Sequence, residues 1–288
     1  MSQNNARWLL QQGRIQLAQA GIEEGALESR ILLEYLLGVS REQLLLREMD
    51  PVTPEVEERF FTLLAHRKDH MPLQYLVENA WFWGRPFYVS EAVLIPRPDT
   101  EILVEAALQF HQEEPVRVMA DICTGSGCIP ITLALEGVGF CYGTDISEAA
   151  LSVARKNTKN LGAEKQTAFL VGDLCTALQG KEPMDLITAN PPYIPTDEVA
   201  KLMPEVRDYE PQLALDGGQD GLDFYRRLIP QSRTYLRPKG ALMMEIGASQ
   251  AAAVKEEMER SGFRQVKVLQ DLAGRDRVVI GRIECDAG

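Results

Sequence analysis

The tetrapeptide Asn190-Pro191-Pro192-Tyr193 closes an apolar, strand-like segment, Met184–Ala189. Asn190 offers a side-chain carbonyl, and Pro191, which has no N–H, offers only a backbone carbonyl. Tyr193 adds an aromatic face. Two acceptors and a ring on a rigid strand end suit a planar group that carries an NH2. The acceptors take the two N–H bonds, and the ring stacks on the plane. The nitrogen of an amide or aryl amine is a poor nucleophile because its lone pair is delocalised. Holding both hydrogens aims that nitrogen and favours the tetrahedral form that develops in the transition state, an interaction stronger there than in the ground state. Alignment with an electrophile supplies the entropic share, roughly 7–11 kcal/mol in ideal cases. Chemistry of this kind needs no Ser, Cys or His nucleophile.

A second constellation could hold the electrophile. Asp121-Ile122-Cys123-Thr124-Gly125-Ser126-Gly127 follows an apolar segment and opens a helical one. Such a glycine turn lets a ligand approach the backbone at the carboxyl edge of a sheet. The third position of a dinucleotide fingerprint is Pro130, which suits a helix start and not the close packing of a glycine. Asp145 stands 18 residues beyond Gly127 at the end of the next apolar segment, where an acid suits a ribose diol. Asp173 ends the third, where it could face an adenine amino group. Each acid could also be a helix N-cap. The glycine loop carries no Lys or Arg, so a nucleoside cofactor without phosphates fits it. S-adenosyl-L-methionine matches, with adenine, ribose and a sulfonium that tolerates acidic surroundings.

Alternating elements must position these groups. Strand patterns fall at 116–123, 140–144, 168–171, 185–189, 241–246, 265–269 and 277–282. Helical patterns fall at 99–112, 128–137, 147–161, 220–236 and 249–261. Alternation predicts a doubly wound, mostly parallel sheet, and the last two strands read as an antiparallel hairpin. Residues 1–75 lack this alternation and read as a helical bundle. Its apolar positions include Trp8, Leu9, Ile15 and Leu17, then Leu27, Ile31, Leu32, Tyr35 and Leu36, stopped by Gly38. Ser40 is a candidate cap for a short helix over Leu44–Leu46. Thr53-Pro54 is a helix start, and that helix carries Phe60, Phe61, Leu63 and Leu64. Residues 76–98 form a linker in which Trp81–Trp83 and Pro86–Val89 read as a hairpin packed through Trp81 and Trp83. Residues 99–288 form the site-bearing domain.

Of 288 residues, 45% are hydrophobic and 25% charged, as in a globular chain. The net charge of −12 disfavours general nucleic-acid binding, and residues 1–75, with 8 basic and 11 acidic side chains, are no basic arm. Arg155, Lys156, Lys159 and Lys165 read as a solvated helix face, as do Arg226, Arg227, Arg233 and Arg237. Cys123, Cys128, Cys141, Cys175 and Cys285 form no CxxC pair and read as reduced thiols; with three histidines, no metal site is expected. No secretory segment or membrane span is read, so a cytoplasmic location is expected.

The chain resembles the release-factor glutamine N5-methyltransferase family (PrmC/HemK) of class I S-adenosylmethionine-dependent methyltransferases over nearly its whole length. The linker Ile95-Pro96-Arg97-Pro98-Asp99-Thr100-Glu101, the loop Asp121–Gly127 and Asn190–Tyr193 carry the resemblance. So do Tyr209-Glu210-Pro211, Leu213–Gly218 and Asp220-Gly221-Leu222, and the region around Leu27–Gly38. The resemblance implies an α/β fold of Rossmann-like type: a seven-stranded, mostly parallel sheet, a small N-terminal all-α bundle for substrate recognition, and a β-hairpin linker. It implies cofactor contacts at Cys123, Thr124, Gly125, Ser126, Gly127, Asp145, Asp173, Leu174 and Asn190. It implies an amide pocket of Asn190, Pro191, Pro192 and Tyr193, with Asn190 and Tyr193 catalytic. The implied substrate is the glutamine of the Gly-Gly-Gln motif in peptide chain release factors, with no direct nucleic-acid or membrane partner. Leu174 departs from the large aromatic common after the third-strand acid. The alternatives are an amino-methyltransferase acting on a ribosomal-protein glutamine or on adenine or cytosine, and a non-catalytic module of the same fold. The last would show a degraded loop or amine motif, and neither is degraded.

Overall fold

A computed structural model describes residues 4–284 of the chain, so Cys285 lies outside the described residues. Two compact units emerge. The first holds the chain up to Asn79 together with Met203–Tyr209; the second holds Ala80–Leu202 and the chain from Glu210 onward. The sequence reading had placed Met203–Tyr209 wholly within the C-terminal domain.

The first unit contains α1 (Ala6–Gln19), α2 (Gly25–Leu37), α3 (Arg41–Leu46), α4 (Pro54–Lys68) and α5 (Leu73–Leu76). The predicted stops and starts are in place. Gly38 ends α2 at φ +62°, Ser40 and Gln43 form a reciprocal capping box on α3, and the Thr53 hydroxyl accepts from the Val56 N–H at 3.4 Å. The buried face differs from the expected stripe. Leu27 and Tyr35 are exposed, whereas Ser29, Leu32 and Leu33 are fully buried. Ser29 faces Gly13 of α1, where a Cβ would stand 2.5 Å from the Ser29 hydroxyl oxygen. Close approach through these two small residues sets the rotation of α2. Met203–Tyr209 joins this unit through charge. The buried Arg67 pairs with Glu28 at 2.6 Å and with Glu205 at 3.2 Å, and His70 Nδ1 lies 3.1 Å from Glu205.

The second unit opens with the hairpin β1 (Ala80–Phe82) and β2 (Arg85–Phe87). Trp83 and Gly84 both have positive φ, +51° and +67°, as a type I′ turn requires. Phe82 and Phe87 are buried edge to face. Trp81, expected to pack, is instead exposed.

The strands that follow are β3 (Val118–Ile122), β4 (Phe140–Asp145), β5 (Thr167–Val171), β6 (Met184–Ala189), β7 (Leu236–Glu245), β8 (Arg264–Gln270) and β9 (Asp276–Arg282). Their order in the sheet is β5-β4-β3-β6-β7-β9-β8, with only β9 antiparallel to its neighbours. This is the seven-stranded class I methyltransferase sheet. β3 is buried along its whole length, as a central parallel strand must be. The helices are α6 (Glu101–Glu113), α7 (Cys128–Leu135), α8 (Glu148–Leu161), α9 (Thr196–Val199), α10 (Pro204–Arg207), α11 (Asp223–Tyr235) and α12 (Ala251–Arg260), with α10 in the first unit's segment. Leu103, Val104 and Phe110 of α6 and Ile129 and Ile131 of α7 pack on one sheet face with Met119. Tyr225 and Leu228 of α11 and Val254 and Met258 of α12 pack on the other with Val118, Ala120 and Ile122. The alternation along β3 is the period of two that sends neighbours to opposite faces. No helix among the described residues is long and apolar enough to cross a membrane.

Candidate active site

The sheet order reverses between β3 and β6, so the loops after these strands part and leave a crevice at their carboxyl ends. A cavity of about 310 Å³ occupies it, within the range of roughly 300–1,000 Å³ that suits small ligands. Cys123, Thr124, Gly125, Ser126, Asp145, Asp173, Leu174, Asn190 and Pro192 line it. Four successive strand ends thus converge on one cavity. Gly127, Pro191 and Tyr193 lie outside its lining. Gly127 caps α7 at φ +77°, and a Cβ there would stand 2.9 Å from the Ile131 Cδ1. It closes the turn against the helix instead of facing the cavity.

The Asp145 carboxylate ties loop to strand. Its Oδ2 accepts from the Gly125 N–H and its Oδ1 from the Ser147 N–H, each at 2.9 Å. Burial raises its pKa, while these backbone donors pull it down. Both oxygens keep lone-pair capacity for a ligand diol. Gly125 has φ +53° and open space where a side chain would stand. The buried Thr124 hydroxyl, also in the lining, lies beside the buried Asp121 carboxyl. Two non-glycine residues of the lining, Cys123 at φ +59° and Leu174 at φ +52°, occupy the left-handed region. Each costs about 1–3 kcal/mol and such strain gathers at functional sites. A bare glycine and strained walls around the Asp145 carboxylate fit a cofactor seated on this loop.

Asp173 lines the cavity just past the end of β5. Its carboxylate is held by the Arg227 guanidinium, and Arg227 lines the cavity too. Arg227 is exposed, as its reading as a solvated helix arginine expects, and it also reaches the Asp173 strand end. Arg97 is a cation that the sequence reading missed: it lines the cavity and pairs at 2.6 Å with Glu210, which is buried. Arg97 and Glu210 both belong to stretches that carry the family resemblance.

Beneath the amine motif lies a network that no local pattern announced. The Asn190 Nδ2 donates to the Thr100 hydroxyl at 3.3 Å, and that hydroxyl donates to the Glu245 Oε2 at 2.6 Å. The Tyr193 hydroxyl points to the Glu245 Oε1 at a long 3.4 Å. Burial pushes the Tyr193 phenol up to about 12, with the nearby Glu245 adding to it. Burial also raises Glu245, against the Thr100 bond and the Arg277 charge. The Gln250 Nε2 donates to the backbone carbonyls of Tyr193 and Gly221 at 2.9 and 3.1 Å.

Asp121, at the start of the loop, is fully buried and accepts from the Thr188 hydroxyl at 2.7 Å. Burial pushes its carboxyl up to about 7. An unfolded aspartate titrates near 4, so below that pH the group contributes no difference. Between about 4 and 7 the unfolded chain releases the proton while the folded chain keeps it. Stability then falls as pH rises, by up to about 1.4 kcal/mol per unit, and the loss is complete above about 7. Asp121→Asn keeps an acceptor for Thr188 and removes the loss. Thermal unfolding of the unliganded protein from pH 5 to 8 should show the wild type falling relative to this variant. Parallel curves would mean that Asp121 is already ionised at pH 5.

Comparison with known proteins agrees with this geometry. Residues 9–77 match the PrmC N-terminal domain and residues 119–209 a methyltransferase domain. A release factor glutamine methyltransferase of Cereibacter sphaeroides is 44% identical over 268 residues, covering 93% of this chain and 94% of its own. Its counterpart in Moorella thermoacetica is 43% identical over 263 residues, covering 91% and 92%. Among solved structures, the hMettl16 catalytic domain, in complex with MAT2A 3′UTR hairpin 6, superposes with a TM-score of 0.58 at 18% identity, over 82% of this chain and 84% of that one. A methyltransferase from Pyrococcus furiosus gives 0.51 at 16% identity, over 81% and 100%. These two likenesses concern the fold alone. Identity above 40% over more than nine-tenths of both chains and a matching N-terminal domain show that this chain, an S-adenosylmethionine-dependent methyltransferase, belongs to the release factor glutamine methyltransferase family.

Proposed function

We propose that the chain transfers a methyl group to the side-chain amide nitrogen, N5, of the glutamine in the Gly-Gly-Gln motif of peptide chain release factors, in the cytoplasm. The observation that carries this reading is the orientation of Asn190. Its amide nitrogen is tied back to Thr100, which leaves its carbonyl oxygen as the acceptor offered at the cavity. An acceptor there suits an N–H of a primary amide, the group that the names of the relatives specify.

S-adenosylmethionine, when bound, supplies a methyl group on a sulfonium, which leaves without a metal or an acid. Residues Cys123–Gly127, Asp145 and Asp173-Leu174 would hold it. Asn190 and the Pro191 carbonyl would accept the two N–H bonds of the glutamine, with Pro192 and Tyr193 completing the pocket. Fixing both hydrogens turns the nitrogen lone pair out of conjugation as the new bond forms, so these acceptors act most strongly in the transition state, and one of the two N–H protons then leaves to solvent, giving the neutral N-methyl amide. The acidic bundle offers no phosphate-neutralising surface by charge, which supports a protein substrate over RNA.

Mass spectrometry of a purified release factor after incubation with the chain and S-adenosylmethionine tests this. One added methyl, mapped to the Gly-Gly-Gln glutamine, is the expected result. Transfer to tRNA or ribosomal RNA in parallel incubations, with an unmodified release factor, would overturn the protein substrate.

A further inference from the structure

The inference deepens the reading above and rests on it: Asn190 can accept from a substrate amide only if its own amide is turned the right way round. The oxygen and nitrogen of an asparagine side chain have nearly the same shape, so only hydrogen-bond partners select the orientation. The selection here begins at Glu245, at the end of β7, whose side chain is buried. A carboxylate only accepts. It therefore commits the proton of the Thr100 hydroxyl, 2.6 Å away, to its Oε2. With that proton committed, the Thr100 oxygen can serve Asn190 only as an acceptor. Asn190 must then present its Nδ2 to Thr100, as it does at 3.3 Å, and its Oδ1 is directed away from Thr100. Thr100 is itself buried at the cavity wall, with its hydroxyl engaged on both sides by Glu245 and Asn190. The second carboxylate oxygen faces the Tyr193 hydroxyl, so one buried group addresses both ends of the amine motif.

We propose that Glu245 and Thr100 are positioning residues that set the polarity of Asn190. Glu245 lies outside the cavity lining, and Thr100 meets it at the wall behind Asn190. The direction of two successive hydrogen bonds carries the choice from a buried carboxylate to the acceptor at the cavity.

This polarity makes a sharp distinction between isosteric substitutions. In Glu245→Gln the side-chain amide can turn its NH2 toward Thr100, a donor that the carboxylate never offers. The Thr100 proton then becomes available to the Asn190 Oδ1, and the asparagine can turn its own NH2 toward the substrate NH2, donor against donor. Thr100→Val keeps the volume and breaks the chain of bonds. Thr100→Ser keeps the hydroxyl.

The test combines steady-state methylation of a release factor with the side-chain 15N amide resonance of Asn190, assigned by its loss in Asn190→Ala. Thr100→Val should lower kcat roughly 10²-fold, the scale expected when a reacting group is misplaced, and Glu245→Gln by less, since its amide oxygen still accepts from Thr100 in one orientation. KM for the release factor and the Kd for S-adenosylmethionine should stay near wild type. Thr100→Ser should recover most of the loss, and the Asn190 resonance should move in the first two variants and not in the third. If Glu245→Gln fails to fold, Thr100→Val decides alone. Wild-type kcat in Thr100→Val, or an unmoved Asn190 resonance, would overturn the relay. A loss in Thr100→Ser as deep as in Thr100→Val would mark a packing defect and overturn it too. A wild-type protein that leaves release factors unmodified would instead remove the proposed substrate, while the resonance would still report on the relay.

Discussion

Asn190→Ala should lower kcat/KM for the release factor by roughly 10²–10³-fold, the range seen when one preorganised hydrogen-bonding group is taken from a reacting centre. The fold should survive. Truncation removes one bond, from Nδ2 to the Thr100 hydroxyl, for about 1 kcal/mol. Most of the cofactor affinity should survive as well, because the loop ties from Gly125 and Ser147 to Asp145 do not involve Asn190. Asp145→Ala should show the reverse pattern: a weaker Kd for S-adenosylmethionine by calorimetry, with turnover largely restored at saturation. Single-turnover methyl transfer separates the two. Wild-type turnover in Asn190→Ala would end the amide-clamp mechanism, and an unchanged Kd in Asp145→Ala would end the ribose assignment.

The parts of the site that were legible in the sequence are those fixed by neighbours along the chain. Asp121–Gly127 and Asn190–Tyr193 each sit on one strand-to-loop junction, so spacing alone placed them at the sheet edge. The same holds for Gly38, Ser40 and Thr53, whose capping roles depend on residues within four positions. What was not legible comes from elements distant in sequence. Thr100 and Asn190 are 90 positions apart, and Thr100 and Glu245 are 145 apart. Nothing local marks a glutamate in an apolar strand as the partner of a threonine before α6. The pairing of the exposed Arg227 with Asp173 was illegible for the same reason, since Asp173 lies on another element. The face of α2 was misjudged because hydrophobicity ranks Leu27 and Tyr35 above Ser29, while the small residues Gly13 and Ser29 let the helices approach. The placement of Met203–Tyr209 in the first unit rests on the Arg67–Glu205 pair, 138 positions apart.

Gly221→Ala should be nearly as damaging as loss of Asn190, although Gly221 offers no side chain to the chemistry. The stretch Leu215–Gly221 runs beside the amine motif. The Ile194 N–H donates to the Leu215 carbonyl, and the Gly217 N–H returns a bond to the Ile194 carbonyl. Gly221 has φ +75°, and a Cβ there would stand 2.4 Å from the Tyr193 carbonyl oxygen and 2.6 Å from the Gln250 Nε2. Gln250 joins those same two segments, so the carbonyl cannot retreat without moving Tyr193. Reaching ordinary contact takes about 1 Å, a displacement that can cost on the order of 10²-fold in rate. Gly162 supplies the comparison. It ends α8 at the same φ of +75°, with nothing within 4 Å of a Cβ. Alanine at either glycine meets the same left-handed backbone penalty, about 1–2 kcal/mol. Only at Gly221 does it also collide with the amine motif. Thermal unfolding should therefore show losses in both variants, larger for Gly221→Ala, while kcat falls in Gly221→Ala alone. Equal kcat in the two would mean that Tyr193 yields without moving Asn190, and that the glycine stretch supports the fold and not the site.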